Sequence, residues 1–176
     1  CWRPGWPGSC SCAGRGPGRL GAGGVGSLRR AFPVLAALGL GVLAAGPLLA
    51  NAGFLLTRGG GDSPFLLLRL YELVQGLNAG QFPVRWMPDA AYGYGYPFFS
   101  YYAALPYYGA ALLHLTTSFN AALKLTQTAG LALGALGMYA WARGLGLTRP
   151  QAWLAAAAYT FAPFHLANLY VRGDSL

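Results

Sequence analysis

Residues 31–56 (AFPVLAALGLGVLAAGPLLANAGFLL) are almost unbroken in apolar character and carry no charge. About 20 apolar residues cross a hydrocarbon core of about 30 Å, so this stretch predicts a transmembrane helix. Pro33 falls in its first turn, and Pro47 is an internal proline of the kind membrane helices tolerate. A cleaved signal peptide is the competing reading, but such peptides have apolar cores of about 7 to 15 residues, shorter than this run. A different periodicity follows. Leu66, Leu67, Leu70, Leu73, Val74 and Leu77 recur at helical spacing, while Arg69, Glu72, Gln75 and Asn78 lie mainly off that stripe. Asp62 or Ser63 can cap this second helix, Pro64 suits its first position and Gly80 marks its end. Covering residues 64–79, it is too polar to span and is expected to lie in the membrane interface plane.

The next stretch, QFPVRWMPDAAYGYGYP at 81–97, reads as an aromatic-rich loop with three prolines, Arg85, Trp86 and Asp89. Tyrosine and tryptophan gather at headgroup level for ordinary reasons; the sharper alternative is that Trp86, Tyr92, Tyr94 or Tyr96 stacks on a sugar or holds a lipid headgroup. Residues 121–142 and 151–169 are two further candidate spans, and 98–118 is nearly long enough to be another. If 98–118 crossed, Arg143 and Arg149 would face outward, against the positive-inside rule. Its Tyr101, Tyr102, Tyr107, Tyr108 and Pro106, followed by His114, Thr116, Thr117 and Ser118, also suit a segment lying along an interface. The expected arrangement is therefore three spans, 31–56, 121–142 and 151–169, with an outer loop 57–120 holding interfacial helices at 64–79 and 98–118. Asp62 and Asp174 then share the outer face.

Composition strengthens the membrane reading. The chain is 55% hydrophobic and 9% charged, whereas a soluble domain carries about 25% charged residues; mean hydropathy is +0.41. The net charge of +8 points to no nucleic-acid partner, because the arginines stand at the ends of apolar runs. The fold class expected is an all-α integral membrane protein, multi-pass in the cytoplasmic (inner) membrane, with the lipid bilayer as its partner. Residues 1–30 stand apart: they hold Cys1, Cys10 and Cys12, five arginines and no acid, a composition that cannot build a core. They are expected to be a disordered or artefactual extension. The first methionine is Met87, so a fragment of a longer protein is expected, with 31–176 as a partial membrane domain.

Several segments together carry a resemblance: an N-terminal span, an outer loop with an acid and an interfacial helix, Gly-Gln-Phe-Pro-Val-Arg-Trp, Gly-Tyr-Pro-Phe-Phe-Ser-Tyr-Tyr, Ala-Leu-Pro-Tyr-Tyr, Ala-Pro-Phe-His-Leu and Tyr-Val-Arg-Gly. From Pro33 onward the chain resembles the N-terminal part of a bacterial polytopic membrane-protein family labelled "6-pyruvoyl-tetrahydropterin synthase related". Its plan is also similar to GT-C glycosyltransferases, in which the first outer loop bears a catalytic acid and a second acidic motif returns after the third span. The resemblance implies the N-terminal fragment of a GT-C-like helical bundle. It implies transfer of a sugar from a polyprenyl-phosphate donor on the outer face of the membrane, with Asp62 and Asp174 as the catalytic acids. Position 66 departs from the pattern, being leucine where relatives carry a histidine four residues after the acid.

The chemistry needs a base for the acceptor, or a carboxylate that holds a divalent metal, and cations for the phosphate leaving group. Asp62 is the first choice for base or metal ligand; no metal-ligand set is identified. Arg58, Arg69, Arg85 and Arg172 can meet phosphate oxygens, and Trp86, Tyr94 and His165 complete the expected substrate-binding set. Blander readings stand beside these: Asp62 as a helix cap, Glu72 as a solvated partner of Arg69, Asp89 as a turn residue, and His114 and His165 as hydrogen-bonded structural residues. A non-catalytic membrane protein serving transport or envelope assembly is the alternative function, although a transporter should carry paired charges within its spans and Lys124 is the lone charge there.

Overall fold

A computed structural model describes residues 23–53 and 62–173. The described residues are mostly helical, with α1 at Gly23–Ala44, α2 at Gly46–Ala50, α3 at Ser63–Asn78 and α4 at Phe98–Tyr101. They continue with α5 at Leu105–His114, α6 at Phe119–Gly144, α7 at Arg149–Thr160, α8 at Pro163–Ala167 and a π-helix at Asn168–Arg172.

The expected integral membrane fold is not what forms: among the described residues no helix is long and apolar enough to cross a membrane. Each candidate span fails for a local reason. The run 31–56 is cut after Ala44, where Ala45 leaves helical geometry (φ −85°, ψ 1°), and Pro47 opens the five-residue α2, which stops at an extended Asn51. Proline has no N–H to give and crowds the preceding turn. The segment 121–142 lies within one continuous helix, α6, whose first half carries Asn120, Lys124, Gln127 and Thr128, and these dilute its hydropathy. The segment 151–169 becomes three pieces, because α7 ends at Thr160 and Pro163 starts a new helix. Residues 98–118 likewise form two short helices separated by an extended Tyr102.

Two packing regions result. In the first, Leu66, Leu70 and Leu73 of α3 meet Tyr107, Ala110 and Ala111 of α5, Ala122 and Leu123 of α6, and Val84, Met87, Phe98 and Phe99 of the intervening chain. Those leucines recur at helical spacing, so one face of α3 is buried by its own periodicity. In the second, α6 packs between α1 and α7 through small residues, among them Ala37, Ala132, Ala135, Ala152 and Ala156. A Cβ at Gly41 would come within 2.8 Å of the Ala132 backbone and side chain, so glycine is what lets α1 and α6 approach. The opposite face of α1 presents Phe32, Leu35 and Leu43 to the outside at 62%, 60% and 67% exposure.

Helix ends are set by local chemistry. Ser118 Oγ accepts from Ala121 N at 3.3 Å to open α6, and Gln151 Oε1 accepts from both the amide and hydroxyl of Thr148 at the head of α7. Gly146, at φ +86°, closes α6 in the left-handed conformation that glycine adopts without a Cβ penalty.

Candidate functional site

The cap position of α3 is held by Asp62, but in helical geometry (φ −71°, ψ −2°) and with no side-chain hydrogen bond to the helix. A capping side chain normally leaves from extended backbone and accepts from the first-turn amides. Here the carboxylate turns elsewhere: Asp62 Oδ2 stands 4.0 Å from Arg172 Nε. The two backbones are also joined, since Asp62 N donates to Arg172 O at 2.9 Å. The side chains are 37% and 67% exposed respectively, so their attraction is weak and screened. Neither group is committed to a buried pair, and either can turn toward a ligand.

Arg69 lies two turns along α3 on the same side as Asp62. Its Cζ sits 4.3 Å from the centroid of the Phe98 ring, and Nη1 donates to Tyr107 Oη at 3.3 Å. Phe98 is in turn stacked on Tyr102 at 4.5 Å with an interplanar angle of 8°. Asp62, Arg69, Arg172, Phe98, Tyr102 and Tyr107 line one cleft of about 390 Å³. It combines one carboxylate and two guanidiniums with an aromatic wall. Such a set binds phosphate oxygens through the guanidiniums and leaves the carboxylate to accept a proton.

The remaining expected site residues do not join it. Arg85 lines a separate depression with Val84, Phe99 and Tyr108. Trp86 is half exposed, with its indole packed where a Cβ on Gly95 would fall, and Tyr94 is exposed at 88% on the far end of that loop. The loop is pinned by reciprocal backbone bonds between Met87 and Tyr96, each 2.9 Å. His165 faces Tyr159 edge-on at 4.6 Å and lines another cavity. Arg58 and Asp174 lie outside the described residues, although Gly173, just before Asp174, packs against Ser63. Among the described residues no group of three or more His, Cys, Asp or Glu side chains comes together to hold a metal ion; the cleft offers one carboxylate beside two cations, which does not fit a divalent metal, and no step is assigned to one.

Two acids behave differently from their expected roles. Glu72 is not a solvated partner of Arg69: it is 1% exposed and accepts from Asp89 N at 3.2 Å. Burial, with the charge of Asp89 second, pushes the Glu72 carboxyl above its ordinary value. Asp89 thereby ties the aromatic loop to α3. Leu66, at the position where the resemblance calls for histidine, is fully buried core. His114 is a structural residue, stacked on Phe119 at 3.7 Å, with Nδ1 3.0 Å from the Thr117 carbonyl.

Tyr102 and Tyr107 belong to the cleft and were not anticipated there. The cue was the Pro106-Tyr107 start of a short helix, which places Tyr107 toward α3. Gln127 was missed as well, being one of several polar residues in the first half of α6.

Compared with protein-family models, with curated proteins and with solved structures, the chain matches none significantly.

Proposed function

We propose that the cleft between the head of α3 and the end of the π-helix is a group-transfer site for a phosphate-linked sugar, with a polyprenyl phosphate as carrier, working at the outer face of the cytoplasmic membrane. The single observation that carries this reading is the Asp62 carboxylate, which is free of its helix-capping duty and set 4.0 Å from the Arg172 guanidinium. Arg69, steadied by Phe98 and Tyr107, supplies a second cation in the same cleft. The exposed apolar side chains of α1 offer a surface for the prenyl chain or the bilayer. Patches of that kind mark interaction sites.

In the proposed reaction Asp62 takes the proton from an acceptor hydroxyl as its oxygen forms a bond to the anomeric carbon. The bond from that carbon to the phosphate oxygen breaks, and its electron pair leaves with the lipid phosphate. Arg172 and Arg69 stabilise the charge that develops there. The motif resemblance from Pro33 onward is a further reason for choosing a glycosyl group.

The test is transfer of radiolabel from polyprenyl-phosphate sugars to acceptor by the purified chain in lipid vesicles, compared with Asp62→Asn. Loss of transfer in a stable Asp62→Asn protein supports the assignment. Equal transfer by both, or none by the parent chain, removes Asp62 from catalysis.

A further inference from the structure

Apart from the Asp62 cleft, α6 faces the segment that runs from the end of α7 through α8 into the π-helix, and between them lies a cavity of about 310 Å³. That volume is at the lower end for small-molecule sites. Its floor is glycine: Gly130 and Gly134 stand on the same face of α6 as Gln127, one turn apart. A Cβ at Gly134 would press on the Tyr159 ring at 3.1 Å, while one at Gly130 would meet nothing within 4 Å. Gly134 therefore seats the aromatic wall, and the space above Gly130 is open.

Gln127 lines this cavity, is 4% exposed, and has an Oε1 sealed from solvent with no hydrogen-bond partner among the described residues. An orphaned buried acceptor costs about 1–3 kcal/mol, and native proteins leave few of them without a reason. The other polar groups around the cavity are equally specific. Thr160, 1% exposed, spends its proton on the Ala156 carbonyl at 2.8 Å, which leaves its oxygen lone pairs to accept. Asn168 opens the π-helix, a widened turn that is frequent at functional sites. His165 contributes an imidazole edge beside Tyr159. Among the described residues no Asp, Glu, Lys or Arg lines the cavity.

We infer that this cavity binds a neutral, polyhydroxylated small molecule of monosaccharide size. Acceptors that lack donors call for ligand hydroxyls, the absence of charged walls disfavours an ionised ligand, and the Tyr159 ring offers a face for the ligand's C–H groups. The terminal torsion of a glutamine is broad, so the Gln127 amide turns to bring Oε1 onto an entering hydroxyl. The site stands on its own residues and shares none with the Asp62 cleft.

The test is ligand-observed saturation-transfer NMR on the purified chain with N-acetylglucosamine, glucose and myo-inositol, and with inorganic phosphate as the charged probe. Saturable binding of at least one neutral polyol is expected. Asp62→Asn should retain it, which separates this site from the transfer reading. Gln127→Met should weaken binding about tenfold, the equivalent of one hydrogen bond to a buried acceptor, and should raise the melting temperature by removing the orphan. Gly130→Met should abolish binding by filling the open space. Absence of binding by all three polyols, parent-like binding by a folded Gln127→Met protein, or a preference for phosphate over the polyols overturns the inference.

Discussion

The main-chain amide of Asp62 donates to the carbonyl of Arg172 at 2.9 Å, tying the head of α3 to the last residue of the π-helix. One backbone bond thereby brings together a carboxylate and a guanidinium that are 110 residues apart in sequence (172 − 62). The residue after Arg172 makes the closure tight: Gly173 has φ +72°, and a Cβ there would collide with Ser63. Gly173→Ala is expected to cost at least about 1–2 kcal/mol, the penalty of a left-handed conformation for a residue with a Cβ. Chemical denaturation measures it. Unchanged stability would mean that this closure does not hold the head of α3 to the π-helix.

The α1–α6 contact makes a prediction of opposite signs at two neighbouring glycines. Gly41 meets Ala132 with no room for a Cβ, whereas a Cβ on Gly39 would meet nothing within 4 Å. Gly39→Ala should stabilise the protein by about 0.5–1 kcal/mol through helix propensity. Gly41→Ala should destabilise it by about 1–3 kcal/mol, as overpacking does. Thermal melts of the two variants decide it, and equal shifts in the same direction would refute the close approach of these helices.

Glu72 sets a pH dependence. Its carboxyl is raised above 4.5 by burial and then by Asp89, so the folded state holds the proton more tightly than the unfolded chain. The stability from Glu72 is therefore complete below about pH 4.5 and is lost as pH rises through the higher folded value. Glu72→Gln can still accept from Asp89 N but carries no charge. Melting temperature against pH should fall across this window in the parent and flatten in the variant; parallel curves would sink the assignment.

The helix at Ser63–Asn78 was legible because its leucines repeat at helical spacing and one face needed burial. The spans were not, because hydropathy counts apolar residues without seeing where the backbone breaks. Pro47 falls in the first turn of α2 and Pro163 starts α8, each inside an apolar run, and Lys124 and Gln127 sit in the half of α6 whose Ala122 and Leu123 pack with α3 and α5. Lys124 reaches the Asn51 carbonyl at 2.5 Å, a long-range partner that spacing cannot reveal. At the cleft, Asp62, Arg69 and Arg172 could be named from residue type. Arg85, Trp86 and Tyr94 were grouped with them by residue type too, as a guanidinium for phosphate and aromatics for a sugar, but none of the three lines the cleft.

The most direct measurement of the central claim is the steady-state kinetics of sugar transfer from a polyprenyl-phosphate donor by the parent chain, Asp62→Asn and Arg172→Gln. A proton acceptor at Asp62 predicts that Asp62→Asn lowers kcat by about 10²–10⁴ with KM for the donor little changed. A phosphate contact at Arg172 predicts a raised donor KM in Arg172→Gln. Parent-like kcat and KM in both folded variants would contradict the claim that this carboxylate and guanidinium form a transfer site.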